Sequence, residues 1–299
     1  MGKKPGIDIT LPFRIARKLN QLQAVAVQTH HIGPLLYGGL GARLAGINQL
    51  VHTEHDAWHL RNNKRRKLQD RIIRIIKPIL VADSFMVAEK LRQISPKHHY
   101  QIIRNGVDCT RFKPGDSDYA RRLQSLPMDV RLIGCAGRLE LVKDQATLIR
   151  AHALLPNDCH LALAGDGSQK LGLMKLAADL GTSRRVHFLG NVDDMPTFYR
   201  ALDVFCLPSL NEGMPLSPLE AQACGIPTVV TDVGGAAETL CPETGLLVEP
   251  DNPEKLSNAL QQQLSSREER NPRHFPLTSN NLRQVISAYQ RLMSPEGVL

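Results

Sequence analysis

Aromatic side chains are scarce in this sequence: they make up 4% of 299 residues, with a single tryptophan. Basic charge interleaved with stacking aromatics is therefore missing, which weakens a nucleic-acid reading of the chain. None of the six cysteines forms a Cys-x-x-Cys pair, and most sit in apolar runs such as Ile133-Gly134-Cys135-Ala136. They read as small buried hydrophobes in a reducing compartment, with no disulfide or metal expected. No apolar run approaches the roughly 18 residues of a membrane span. Met1-Gly2-Lys3-Lys4-Pro5 leads into no apolar signal segment, so the expected location is cytoplasmic. No short repeat runs through the chain, which excludes collagen-like and coiled-coil architectures.

The composition that remains, 42% hydrophobic and 22% charged, is that of a folded chain long enough for about two domains. The net charge of +8 is uneven. Residues 1–112 hold 19 Lys and Arg against 7 Asp and Glu, whereas residues 113–299 hold 18 against 22. A basic half favours a phosphorylated ligand, a polyanion or an anionic membrane surface.

Short apolar runs at 24–27, 49–52, 79–83 and 100–103 read as strands of the first half. Runs at 130–136, 160–164, 186–189, 204–207, 228–231 and 245–248 read as strands of the second. Most are uniformly apolar, the pattern of parallel strands covered on both faces. Helical patterns at 144–155, 168–180, 216–224 and 254–265 alternate with them, which predicts a doubly wound α/β fold. The turn-rich stretch 112–117 marks a boundary, dividing the chain into 1–112, 113–275 and a tail helix in 276–299 that crosses back. Residues 266–279 read as loop or crossover.

In such sheets ligands bind beyond the carboxyl ends of the strands. Asn211-Glu212-Gly213-Met214-Pro215-Leu216-Ser217-Pro218-Leu219-Glu220 follows one strand. Gly213 permits close backbone approach. The two prolines place a helix start, whose N–H groups suit a phosphate, and Glu220 one turn further can accept from sugar hydroxyls. The alternative is a solvated helix start with two surface acids. Gly137-Arg138-Leu139 with Lys143-Asp144 follows another strand and offers two cations for a diphosphate, or simply two surface cations. Gly165-Asp166-Gly167 is a strand-to-helix turn of the kind where nucleotides lie. Gly38-Gly39-Leu40-Gly41 lacks the Lys of a phosphate loop and reads as close helix packing.

Taken together, Gly137-Arg138…Lys143, Gly165-Asp166-Gly167, Glu212…Glu220 and Gly234-Gly235…Glu238 resemble family 4 of the retaining glycosyltransferases. Asn105-Gly106-Val107-Asp108 and Val186-His187-Phe188-Leu189-Gly190 are similar to that family too. The resemblance implies a GT-B fold: two Rossmann-like domains with parallel sheets facing across a cleft. It implies a nucleotide-sugar donor held by the second domain, without metal. Arg138 and Lys143 would neutralise the leaving diphosphate, Glu220 would hold the ribose, and Glu212 would contact the transferred sugar beside the backbone of Gly213, Met214, Pro215 and Leu216. Gly137, Gly165 and Gly167 would line the donor site. His30, with His31 as the adjacent alternative, resembles the family's active-site histidine.

Thr53-Glu54-His55-Asp56 ends another strand. It is no His-Glu-x-x-His motif, and Glu54, His55 and Asp56 read as acceptor-binding residues. Arg61-Asn62-Asn63-Lys64-Arg65-Arg66-Lys67 precedes an Ile-rich helical stretch that reads as a core helix with a cationic outer face, or as a dock on anionic lipid. Only four strands precede residue 104, so the first domain is expected to be a truncated version of the family's, without its first strand and Gly-rich loop. Two functions follow. One is transfer of a hexosyl-type sugar, with retention, to a saccharide or lipid-linked acceptor in polysaccharide or glycolipid synthesis. The other is a catalytically silent nucleotide-sugar binder or partner subunit.

Overall fold

The computed structural model describes residues 6, 8–265 and 272–294. It divides into two compact units, Met1–Arg104 with Gln284–Leu299, and Asn105–Arg283. The turn-rich stretch that marked a boundary thus lies inside the second unit. Val107, Cys109 and Phe112 are buried in that unit's core, which draws the division back from 112 to 104.

The first unit holds β1 (Ala26–His30), β2 (Gln49–Glu54), β3 (Ile79–Ala82) and β4 (Gln101–Ile102). They pair in parallel in the order β1-β2-β3-β4. Leu35, Leu50, Ile72, Ile73, Ile76 and Leu80 form its main core. Three of these, Ile72, Ile73 and Ile76, come from helix Asn63–Ile76 and fall at helical spacing on one face. Asn62 starts that helix: its Oδ1 accepts from the backbone N–H groups of Lys64 and Arg65. Leu68 and Ile75 are exposed among its cations. A Cβ at Gly39 would lie 2.8 Å from Ile76 Cδ1, and one at Gly41 2.6 Å from Ile15 Cγ2. The Gly38–Gly41 run is therefore a packing device.

The second unit holds β5 (Arg131–Ala136), β6 (Cys159–Ala164), β7 (Val186–Gly190), β8 (Val204–Leu207), β9 (Thr228–Thr231) and β10 (Leu246–Val248). They form one parallel sheet in the order β10-β9-β8-β5-β6-β7. One face packs on Phe198, Tyr199 and Leu219, the other on Leu148, Ile149 and Leu260. Coverage of both faces is why these strands carry no alternating pattern. All six cysteines are buried and free.

Part of the stretch read as loop is helical. His274–Ser279 is a helix held by buried Pro276 and by Phe275 against the core, while 266–271 lie outside the described residues. Asn280 Nδ2 then donates to Asn105 O, and Leu282 N to Val107 O. Helix Leu282–Met293 carries the chain into the first unit, where Tyr289 Oη and Thr53 Oγ1 are 3.0 Å apart. No helix among the described residues is long and apolar enough to cross a membrane.

Candidate functional site

The strand order of the second unit reverses between β5 and β8: β6 and β7 build outward on one side, β9 and β10 on the other. Such a switch point splays the two following loops apart and leaves a crevice for a ligand. The loop after β5 carries Arg138 and Lys143; the loop after β8 carries Glu212. The two loops are tied by Leu210 N donating to Val142 O at 2.9 Å.

Lys143 closes a 3-10 turn, Leu141–Lys143, and Asp144 follows in the left-handed region to cap helix Gln145–Ala153. This sharp reversal aims the lysine across the switch point, where its Nζ donates to Glu212 Oε1 at 2.6 Å. Ser209 Oγ donates to the same oxygen at 2.6 Å. The Glu212 side chain is only 9% exposed, so its charge is held by these two partners. The loop behind it is pressed close. A Cβ at Gly234, which has φ +55°, would fall 1.9 Å from Glu212 O, and Gly235 N donates to Gly213 O. Only glycine fits there.

Glu220 projects from helix Ser217–Ala223, and its Oε2 accepts from the buried Tyr199 hydroxyl at 2.7 Å. Burial pushes its carboxyl up, opposed by the Tyr199 hydrogen bond and Arg111. Glu220, Ser217, Gly137, Arg138 and Gly165 line one cavity of about 320 Å³. Arg138 is exposed, and its carbonyl is anchored by the Gln145 side-chain amide at 3.0 Å. The structure thus joins Lys143 to Glu212 in one ion pair, and Arg138 to Glu220 in one cavity.

Other expected contacts are redirected. A Cβ at Gly165 would meet Gly137 O at 2.0 Å, and one at Gly167 would meet Leu139 O at 2.4 Å. These glycines let the loops after β5 and β6 lie together; Gly165 lines the cavity and Gly167 does not. The Met214 side chain is buried, and its carbonyl accepts from Asn105 Nδ2 at 2.8 Å. That carbonyl is engaged by the chain, while Gly213 and Pro215 are half-buried and Leu216 is exposed.

In the first unit His30 ends β1 and is exposed, beside His31 at φ +63°. Its Nδ1 lies 2.7 Å from His55 Nε2, and His55 Nδ1 lies 3.0 Å from Asp83 Oδ2. The rings of His30 and His55 stack with centroids 5.0 Å apart. The hydrogen bond from His55 Nδ1–H to Asp83 holds the His55 pKa above the usual 6.5 despite burial. Burial first, and then His55, lower that of His30. A single hydrogen fits between the two facing nitrogens, and the tautomers of the two rings decide which of them donates.

Glu54 does not face solvent, so its assignment to acceptor binding fails. Its carboxylate is fully buried, and Oε1 accepts from His52 Nε2 at 2.8 Å and Gln69 Nε2 at 2.6 Å. Asp56 is half-buried and its Oδ1 accepts from Trp58 N, a local turn bond. His55 alone of the three reaches the predicted histidine. Sequence reading missed Asp83, Ser209 and Tyr199. The polar Asp83-Ser84 step after apolar β3 was the available signal for the first, and Tyr199 has none.

The comparisons with known proteins bear on this geometry. Residues 116–273 match the model of the glycosyl transferases group 1, and residues 1–111 that of Glycosyltransferase Family 4.

The chain belongs to the family 4 glycosyltransferases.

It is 31% identical over 285 residues to a D-inositol 3-phosphate glycosyltransferase of Corynebacterium urealyticum, covering 83% of this chain and 67% of that one. An enzyme of the same name from Mycobacterium bovis is 36% identical over 158 residues, covering 49% of this chain and 33% of its own. Among solved structures, a sucrose-phosphate synthase from Thermosynechococcus elongatus superposes with TM-score 0.79 at 26% identity, over 95% of this chain and 77% of that one. Anabaena HepE in complex with UDP and glucose gives TM-score 0.81 at 22% identity, over 97% and 83%. The fold of this glycosyltransferase, α/β with two parallel sheets, is GT-B.

Proposed function

We propose that this glycosyltransferase takes a sugar from a nucleotide-sugar donor held at the β5/β8 switch point of the second unit. The observation that carries the reading is the pairing of Lys143 with a nearly buried Glu212 there, in the unit whose cavity holds Arg138 and Glu220. A lysine kept at a crevice by a carboxylate is a positive charge in place before the ligand arrives. As the bond between sugar and diphosphate breaks, negative charge grows on the departing phosphate. Arg138 and Lys143 stabilise that charge without reorganising, which is where catalytic electrostatics has its largest effect. Glu220, fixed by Tyr199 and with a raised pKa, accepts from ribose hydroxyls. Glu212 contacts the transferred sugar. The two cations supply the positive charge, and the reading assigns no metal to the diphosphate.

In the first unit, His30 presents its outer nitrogen to a sugar hydroxyl, with His55 and Asp83 behind it. Transfer with retention, a hexosyl-type sugar and a saccharide or lipid-linked acceptor complete the reading. A phosphorylated polyol is a second acceptor class, favoured by the similarity to the D-inositol 3-phosphate glycosyltransferases. With a lipid-linked acceptor, the cationic helix Asn63–Ile76 docks on anionic lipid; failure to co-sediment with anionic liposomes at physiological salt rejects that part.

The test is a thermal-shift screen of UDP-, GDP- and ADP-sugars. One donor class should raise the melting temperature, and Glu220→Gln, which keeps an acceptor for Tyr199, should remove the shift without lowering the starting melting temperature. No shift with any donor contradicts the proposal. Binding without turnover favours the silent binder instead.

A further inference from the structure

Remote from the switch point in sequence, Cys241, Glu243 and His274 bring one thiol, one carboxylate and one imidazole donor within 4.8 Å of one another. All three lie in the second unit. His274 Nε2 is 3.7 Å from Cys241 Sγ and 3.5 Å from Glu243 Oε2. The second distance is too long for an N–H···O hydrogen bond, for which about 2.7–3.2 Å is usual. A single Nε2–H also cannot point at both partners.

These separations are instead close to the edges of a metal-centred tetrahedron. Zinc–sulfur and zinc–nitrogen bonds of about 2.3 and 2.0–2.1 Å at a tetrahedral angle put sulfur and nitrogen about 3.5 Å apart. The same arithmetic with a carboxylate oxygen gives about 3.3 Å. Each observed edge is within a few tenths of an ångström of its value. We propose that Cys241, Glu243 and His274 form a zinc site, with water completing the tetrahedron, that clips the turn before β10 to the start of helix His274–Ser279.

The chemistry of the donor set selects the ion. Thiolate with imidazole prefers zinc to magnesium or calcium, which take oxygen ligands. On binding, Zn²⁺ replaces the thiol proton of Cys241, which leaves to solvent; the imidazole binds neutral and the carboxylate ionised. The site has support and access. Cys241 is fully buried, its N–H donates to Gln222 Oε1 at 2.7 Å, and its carbonyl accepts from Gly245 N at 2.8 Å. Glu243 and His274 are exposed, at 76% and 46% of their side chains, so an ion reaches the thiol from their side. Gln222 also donates to Thr239 O from helix Ser217–Ala223, the helix that carries Glu220. The clip therefore steadies the segment behind Glu220 and takes no part in the transfer. Cys241 in this role departs from the expectation of a chemically idle cysteine.

The experiment titrates the metal-stripped chain with Zn²⁺ alone against a chromophoric chelator, and with Co²⁺ as a spectroscopic substitute. The expected result is one equivalent bound, a thiolate-to-cobalt charge-transfer band and a melting temperature raised by zinc. Cys241→Ser should abolish the band. His274→Gln and Glu243→Gln, at exposed positions that leave the fold intact, should each weaken zinc at least 10-fold. Zinc binding that survives all three substitutions, or that is lost with His160→Ala or His30→Ala, overturns the proposal. So does the absence of stoichiometric binding.

Discussion

Replacing Lys143 by methionine separates two roles that the ion pair with Glu212 combines. Methionine keeps much of the side-chain length and removes the charge. In the folded chain the substitution strands a carboxylate that is only 9% exposed, with the Ser209 hydroxyl as its remaining partner. Breaking a buried pair in this way costs about 3–5 kcal/mol, and the 20% exposure of Lys143 reduces the expected loss to about 2–3 kcal/mol. Glu212→Gln in the same chain removes the stranded charge, so the double variant should recover about 1–2 kcal/mol relative to Lys143→Met alone. Catalysis should not recover. A lost charge aimed at the leaving phosphate lowers kcat by about 10²–10³-fold, and Glu212→Gln cannot return it. Urea denaturation of the four members of the cycle gives the stability coupling, and release of nucleoside diphosphate gives the rate. If Lys143→Met weakens the fold but leaves donor affinity and turnover at wild-type values, the pair is structural and the reasoning is wrong.

In the first unit, Asp83→Asn should lower the His55 pKa, because the hydrogen bond to Asp83 is its largest upward cause. A raised histidine pKa contributes stability present below pH 6.5 and lost as pH rises through the folded value. The variant should lose that contribution, and imidazole NMR titrations that remain unchanged would refute the arrangement. His152 has the opposite sign: burial lowers its pKa to about 4, while its Nε2–H donates to Cys159 O. Stability should therefore fall by up to about 3 kcal/mol as pH drops from 6.5 to about 4. His152→Gln should flatten that part of the urea-midpoint profile, and an equally steep profile would reject the assignment. Gly234→Ala puts a Cβ on Glu212 O and a side chain at positive φ. A loss of about 2–4 kcal/mol in urea denaturation is expected, together with weakened donor binding; a neutral effect would contradict the close packing.

The second unit was legible because its strands are buried on both faces. Val204–Leu207 and Thr228–Thr231 begin and end where their apolar runs do. β1 was harder. It runs Ala26–His30, beginning two and ending three residues later than its apolar run suggests, since it is the edge strand and carries Gln28, Thr29 and His30. The helix Met195–Arg200 is too short to show a period, though it supplies the buried Phe198 and Tyr199. At the site, spacing named Arg138, Lys143, Glu212 and Glu220, because cations and acids after apolar strands are visible in one dimension. It could not show direction. Glu54 and Asp56 flank His55, yet Glu54 turns inward to His52 and Gln69 and only His55 meets His30. The alternation of a strand fixes those directions, but which face is covered depends on helix Asn63–Ile76, from which Gln69 comes. Asp83 meets His55 in the first unit across 28 residues of sequence, and in the second Ser209 and Tyr199 meet Glu212 and Glu220 across 3 and 21. The polar step after β3 marks Asp83 locally, whereas the contact of Tyr199 lies beyond the reach of local pattern.

The central claim is that the second unit's switch point activates a nucleotide-sugar. Release of nucleoside diphosphate from UDP-, GDP- and ADP-sugars, followed for the unaltered chain and for Arg138→Ala, measures this most directly. Arg138 is exposed, so its loss should leave the melting temperature in place. The account predicts release from one donor class, reduced at least about 10²-fold in the variant. No release from any donor, or equal release by both chains, would contradict it.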